Sequence, residues 1–180
     1  MYKINSNIKN LIKYLPNLLT LSRLIITVPL VFFLEIKSYK IVWILLIIGG
    51  LTDYFDGFLA NKLNLKSRFG AIIDPLVDKI FILIPLIWLS IANLIPFWSL
   101  SIILIREFII SGYRSSQENG LPASNLGKYK TFSFFTALIL LFLPFKNYMI
   151  TKIGLGFYWF GFILTIITAI KYLRIKKYIV

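Results

Sequence analysis

The chain has 180 residues, of which 58% are hydrophobic, and its mean hydropathy is +0.82. A soluble domain is about 45–50% apolar, and the excess here falls in long blocks, which indicates a membrane protein. Twenty bases oppose 7 acids, for a net charge of +13. Because these bases flank the apolar blocks, we expect them to face anionic lipid headgroups and not nucleic acid. The absence of Cys and His excludes disulfides, thiolate nucleophiles and the usual zinc ligands.

Six apolar segments are candidates for helices that cross a bilayer, which needs about 20 residues. In chain order they are Leu18–Leu34, Ile41–Leu59, Leu76–Leu94, Phe97–Ile110, Thr131–Phe145 and Ile153–Leu173. A lysine-containing stretch precedes the first segment, and no small-residue cleavage site follows it, so we interpret it as a short interfacial segment before a retained helix. The sequence therefore predicts an all-α polytopic membrane protein with six transmembrane helices in one domain, 1–180.

The bases divide unequally between the two ends of these segments. With a cytoplasmic N-terminus, 16 of the 20 bases lie on the inner side, and the outer side holds only Lys37, Lys40, Lys146 and Lys152. Positively charged residues accumulate on the cytoplasmic side of membrane proteins. The pattern thus predicts that both termini are cytoplasmic.

Four of the seven acids lie within 26 residues, at the junction of the second and third segments: Asp53, Asp56, Asp74 and Asp78. Spacings of three and four residues place each pair on one face of a helix. The connection between the two helices is short, so we expect antiparallel neighbours whose four carboxylates converge near the cytoplasmic surface.

Clustered carboxylates in a membrane repel one another unless cations lie between them, and such residues usually have a function. Oxygen ligands without His or Cys suit Mg²⁺ or Mn²⁺ better than zinc. Two alternatives are open on spacing alone: an ion-binding or proton-relay site of a transporter, and a set of solvated charges at the interface.

The same window resembles the signature of the CDP-alcohol phosphotransferases, D-x2-D-G-x2-A-R followed after about eight residues by G-x3-D-x3-D. Here it reads Asp53-Tyr-Phe-Asp-Gly-Phe-Leu-Ala60 and then Gly70-Ala-Ile-Ile-Asp74-Pro-Leu-Val-Asp78. Every element matches at its spacing except the Arg, which is Asn61 in this chain. The resemblance implies a six-helix membrane fold, a homodimer and a cavity that opens to the cytoplasm.

The resemblance also implies roles for individual residues. A site for Mg²⁺ or Mn²⁺, with two ions, would use Asp53, Asp56, Asp74 and Asp78, and Asp78 would also act as general base. The CDP pocket would include Asp56, Gly57, Ala60, Asn61 and Gly70. Because Asn61 carries no charge, either the donor is held less tightly or a nearby base such as Lys66 or Arg68 compensates.

Further segments resemble the bacterial phosphatidylglycerophosphate synthases of that family. They are Pro16–Arg23, Arg106-Glu-Phe-Ile-Ile-Ser-Gly-Tyr-Arg114 and Ala123–Thr131. This resemblance implies an enzyme of the bacterial inner membrane that reacts CDP-diacylglycerol with glycerol 3-phosphate to give phosphatidylglycerol phosphate and CMP. The second phosphate of this acceptor could be bound by Arg106, Arg114 and Lys128.

Two other functions are left open by the sequence. A relative that uses serine, inositol or a lipid as acceptor would have no need of these bases, which would then contact lipid headgroups only; for Lys130 the headgroup interpretation is favoured. A small transporter or inactive scaffold would release no CMP. Glu107 could pair with a neighbouring Arg or cap the end of its helix.

Overall fold

A computed structural model describes residues 6–63, 68–115, 125–145 and 147–176, with side chains over 21–53, 76–112, 125–145 and 147–171. In these ranges all of the regular secondary structure is α-helical. The helices are α1 (Ser6–Glu35), α2 (Tyr39–Leu63), α3 (Arg68–Ile91), α4 (Phe97–Ser115), α5 (Asn125–Leu141) and α6 (Tyr148–Lys176). The chain divides into two compact units, Met1–Pro85 and Leu86–Val180, with the boundary inside α3.

Each predicted apolar segment corresponds to one of these helices, although the ends differ. Helix α3 begins at Arg68, eight residues before the predicted Leu76. The predicted start is late because acids lower the hydropathy of the first turns but do not prevent helical backbone. Helix α5 ends at Leu141, before the predicted Phe145, since Pro144 disfavours helical backbone in the residue before it. Helix α1 is continuous from Ser6, so the predicted interfacial segment is its first part from that residue onward.

One stretch of the described residues, Tyr148–Lys171 in α6, is both long enough and apolar enough to span a membrane, with a mean hydropathy of 2.0 over 24 residues. The structure therefore supports one of the six predicted spans by length and composition.

The turn after α1 and the turn after α3 have the same geometry. Lys37 and Asn93 each have a φ of 57°. In both turns, the amide of the next residue donates to the carbonyl five positions earlier, Ser38 to Phe33 and Leu94 to Leu89, each at 2.9 Å. This is the Schellman arrangement, in which a left-handed residue closes the last helical turn. It ends both helices abruptly.

In the first unit, the packed side chains of α1 and α2 form stripes that end in charged residues. The stripe on α1 consists of Arg23, Thr27, Leu30 and Leu34, and the stripe on α2 consists of Val42, Leu46 and Gly49. Spacings of three and four residues keep each stripe on one helical face. Asp53 follows Gly49 by four residues, so it continues the face that α2 uses for packing.

Gly49 of α2 leaves room for the ring of Phe81, a residue of α3. A Cβ atom at position 49 would lie 2.1 Å from Cζ of Phe81, a side chain only 4% exposed. Phe81 lies three residues after Asp78, and Gly49 four residues before Asp53. The two contacting positions therefore lie one helical turn from the two acids, and their opposite order along the chain shows that α2 and α3 are antiparallel here.

In the second unit, α6 packs against α5 and α4 through a seam of small residues and one large ring. Gly154 and Gly161 lie seven residues apart, where added Cβ atoms would lie 2.9 Å from Cγ of Leu141 and 3.0 Å from Cδ1 of Phe134. Between them the fully buried Tyr158 shares a hydrogen bond of 2.6 Å with Ser99 of α4. Small residues at such seams let helix backbones approach closely.

We predict that Gly49→Ala destabilises the protein by about 1–3 kcal/mol, the usual cost of overpacking a tight contact. Its thermal unfolding in detergent should begin at a lower temperature than that of the wild type. In a protein that also carries Phe81→Leu, Gly49→Ala should lower the stability much less, because the ring atoms that the new methyl group meets are gone.

Gly156→Ala is the matched control, since no atom lies within 4 Å of a Cβ at that exposed helical position. Alanine is favoured over glycine inside a helix by about 0.5–1 kcal/mol. Equal effects at positions 49 and 156 would contradict the close contact between α2 and α3.

Candidate active site

The candidate site of the first unit is a charged cluster to which α1, α2 and α3 each contribute a side chain. Nη1 of Arg23, on α1, lies 2.5 Å from Oδ1 of Asp53 on α2, and the same nitrogen contacts Oδ1 of Asp78 on α3. The two carboxylates therefore converge on one point although they are 25 residues apart in the chain. The expected convergence of acids from the second and third segments is thus seen for one acid of each pair, Asp53 and Asp78.

Burial differs sharply between the members of this cluster. The side chain of Arg23 is 3% exposed, whereas those of Asp53 and Asp78 are 56% and 38% exposed. Arg23 is thus buried behind the two carboxylates, which a ligand can reach from the surface. The next helical turn of Arg23 is buried too, and the Thr27 hydroxyl donates to the Arg23 carbonyl at 2.8 Å.

The remaining predicted ligands of the first unit lie outside the described side chains. Asp56 is three residues further along α2, and Asp74 is four residues earlier in α3; the predicted CDP-binding residues Gly57, Ala60, Asn61 and Gly70 also lie there. Among the side chains that are described, no three acids, His or Cys form a metal-binding group. The four-carboxylate set is therefore still a prediction.

The described residues fit a divalent cation in chemistry. Two carboxylate oxygens from different helices already share one positively charged partner, and hard oxygen donors are the ligands that Mg²⁺ and Mn²⁺ prefer. Both carboxylates keep substantial exposure, so an ion can reach them.

The second unit has a candidate site of its own, a buried ion network around α4. Arg106 donates from Nη1 to Oε1 of Glu107 at 2.8 Å and from Nη2 to Oγ1 of Thr168, on α6, at 2.7 Å. The same Glu107 oxygen accepts a hydrogen bond from Lys130 of α5. All three charged residues are at most 9% exposed. The network thus joins α4, α5 and α6 and contains two positive charges and one negative charge.

One donor of this network has no protein partner among the described residues. Nε of Arg106 is buried and makes no hydrogen bond there. A buried polar group without a partner costs about 1–3 kcal/mol, so such groups often mark a ligand site. Among the described side chains the network has one positive charge in excess, which an anion would neutralise.

The structure distinguishes among the bases that the sequence analysis considered. Arg106 is in the network, and Glu107 pairs with it, which settles one of the two roles considered for that acid. Lys130 is buried and ion-paired, so its assignment to lipid headgroups is wrong; its spacing of 23 residues from Glu107 gave no signal. Lys128 is exposed, and the side chain of Arg114 lies outside the described ones, so their roles are still predictions.

Comparison with known proteins identifies the family. Residues 13–169 match the sequence model of the CDP-alcohol phosphatidyltransferases. The chain belongs to this family. The residues that match the CDP-alcohol phosphatidyltransferase model include Arg23, Asp53 and Asp78, and also the whole ion network of α4, α5 and α6.

Two members of the family are similar over nearly the whole chain, and a third is similar over more than half of it. A CDP-diacylglycerol–glycerol-3-phosphate 3-phosphatidyltransferase of Rickettsia felis is 35% identical over 176 residues, which cover 92% of this chain and 97% of that protein. The enzyme of the same name from Wigglesworthia glossinidia brevipalpis is 40% identical over 179 residues, or 89% and 93% of the two chains. The Bacillus subtilis enzyme of that name is 40% identical over 109 residues, or 57% and 56%.

We predict that Glu107→Gln destabilises the protein by about 3–5 kcal/mol, because it leaves two buried cations without the carboxylate that both contact. Lys130→Met should cost much less, since Arg106 and Glu107 can still neutralise each other. Urea unfolding in detergent, followed by tryptophan fluorescence, measures the difference. A larger loss for Lys130→Met than for Glu107→Gln would refute the central place of Glu107.

Proposed function

We propose that this protein transfers the phosphatidyl group of CDP-diacylglycerol to glycerol 3-phosphate, giving phosphatidylglycerol phosphate and CMP. The observation that carries the proposal is the convergence of Asp53 and Asp78, two acids of the family signature, on one cationic partner. The relatives named for this reaction, similar along nearly the full chain, support the choice of substrates.

The proposed cofactor is Mg²⁺ or Mn²⁺, with two ions held by Asp53, Asp56, Asp74 and Asp78. When bound, such ions would neutralise the pyrophosphate of the donor and the charge that develops on the leaving CMP. The cytidine nucleotide would be held beside them by Asp56, Gly57, Ala60, Asn61 and Gly70.

Asp78 is the proposed general base. Its half-exposed carboxylate can accept the proton of an acceptor hydroxyl, while the hydroxyl oxygen forms a bond to the phosphatidyl phosphorus and the bond to the CMP oxygen breaks. Arg23 contacts Oδ1 of Asp78 and so fixes the orientation of the carboxylate. No covalent enzyme intermediate is needed.

The proposed ligands of the acceptor phosphate are Arg106, Arg114 and Lys128. Support comes from the ion network: Arg106 is held by Glu107 and Thr168, carries a buried donor with no partner among the described residues, and shares its network with a second base. A phosphate offers the oxygens that such a guanidinium can bind. A neutral alcohol such as serine or inositol offers none of these charges.

We also propose that the enzyme crosses the bacterial inner membrane six times as a homodimer, with both termini and the active site in the cytoplasm. Large apolar side chains are more than half exposed on several helices, among them Val28, Ile91, Phe108 and Phe160. Exposed apolar faces of this kind fit a hydrocarbon surrounding better than water. The distribution of bases supports the orientation.

The decisive test measures CMP release by the purified protein in detergent with CDP-diacylglycerol and Mg²⁺ or Mn²⁺. Release should occur with glycerol 3-phosphate and not with serine, inositol or without acceptor. Asp78→Asn should abolish it, because the base and one charge of the metal site are lost together, while the protein still inserts into the membrane.

CMP release with another alcohol would support the type of reaction and contradict glycerol 3-phosphate as the acceptor. If no alcohol supports release, Asn61→Arg, which restores the signature, tests whether weak donor binding is the cause. A transporter or scaffold would release no CMP in either form and would tolerate Asp78→Asn.

A separate prediction concerns the acceptor. Arg114→Ala and Lys128→Ala should each raise the KM for glycerol 3-phosphate about tenfold or more, the effect of losing one hydrogen bond to a charged group. The KM for CDP-diacylglycerol should stay unchanged. Lys152→Ala, which removes an exposed base of α6, is the control. An equal rise in the KM values of both substrates would contradict the assignment of these bases to the acceptor.

A further inference from the structure

Arg23 occupies an unusual position for a base next to an acidic site. Its guanidinium is buried, and its Nη1 contacts one oxygen of each of two carboxylates that are themselves about half exposed. An exposed ion pair between flexible side chains would contribute little. Here the base is fixed by the α1 packing stripe, and both acids lie on helices held one turn away by the contact of Gly49 with Phe81.

The close approach of α2 and α3 brings carboxylates together whether or not an ion is bound. Two negative charges at one point repel each other, and without a cation this repulsion would push the helices apart. Arg23 supplies a positive charge at the point where the two Oδ1 atoms converge. It is therefore positioned to neutralise the site in the metal-free protein.

We propose that Arg23 is a resident counter-cation of the acidic site: it holds Asp53 and Asp78 together in the metal-free protein, and a bound divalent cation takes over part of that role. The inference rests on the proposed metal site of the preceding section. Arg23 is a positioning residue here, because it acts on substrate and metal only through the two carboxylates.

The geometry leads to a negative coupling between Arg23 and the metal. Both cations use the same two carboxylates, and two positive charges so close together repel each other. Each therefore gains less from the site when the other is present. Coupling between two binding partners is reciprocal, so the loss of Arg23 must strengthen metal binding by the same factor by which the metal weakens the contribution of Arg23.

The experiment compares wild type, Arg23→Gln and Arg23→Lys, each purified in detergent. The Tm is measured in EDTA and during titration with Mn²⁺, and the Kd for Mn²⁺ is measured by electron paramagnetic resonance. Lys40→Gln, which removes one positive charge from an exposed position of the same unit, is the matched control.

We expect Arg23→Gln to lower the Tm in EDTA, and Mn²⁺ to raise its Tm by more than it raises that of the wild type. The Kd for Mn²⁺ should fall about fivefold or more, which is the lower end of typical coupling between sites. Arg23→Lys keeps the charge and should bind Mn²⁺ with nearly the wild-type Kd. Lys40→Gln should leave both the Kd and the Mn²⁺-induced rise in Tm unchanged.

An equal or weaker affinity of Arg23→Gln for Mn²⁺ would overturn the inference, as would a wild-type protein that binds no Mn²⁺. The proposed reaction is judged separately by CMP release. If the wild type releases CMP and shows no coupling, only the proposed role of Arg23 is contradicted. If the protein shows the coupling and releases no CMP with any acceptor, the role of Arg23 is supported and the proposed reaction is contradicted.

Discussion

The contact of one buried guanidinium with two carboxylates from different helices organises the first unit of this protein. Helix α1 contributes the base, and α2 and α3 each contribute an acid, so the cluster exists only when all three helices are in place. Packing and charge support each other, because Arg23 and Asp53 lie on the same helical faces as the apolar residues that join α1 to α2. A change in helix spacing would therefore alter the charged site directly.

The second unit places its charges differently. Its network is buried, contains one acid for two bases, and is closed by a threonine whose hydroxyl also donates to the Leu164 carbonyl at 2.8 Å. In the cluster of the first unit, two acids contact one base, and both acids are exposed. Among the described residues the two clusters thus differ in charge, because the first has more acids than bases and the second has more bases than acids.

Much of this arrangement could be predicted from the sequence. Hydropathy located all six helices, and the spacing of the acids indicated that α2 and α3 meet, because helical periodicity is a local property of the chain. The partners of the charges were harder to predict. Arg23 is 30 residues from Asp53 and 55 from Asp78, and its neighbours in sequence give no indication of either contact.

Lys130 shows the same limit more strongly. In the sequence it resembles Lys128, two residues earlier, yet a step of two residues in a helix turns a side chain by about 200° and so separates a buried base from an exposed one. Which of the two faces the interior depends on how α5 packs against α6. Gly154 and Gly161, which contact α5 closely, belong to α6, a different helix.

The position of Arg106 in the chain has a consequence for biosynthesis. Thr168 follows it by 62 residues, so at about 5–20 residues per second the ribosome adds this partner about 3–12 seconds later. Glu107, by contrast, is added immediately after Arg106. The adjacent acid can therefore neutralise the arginine as soon as α4 forms, and α5 and α6 then complete the network around a pair that is already formed.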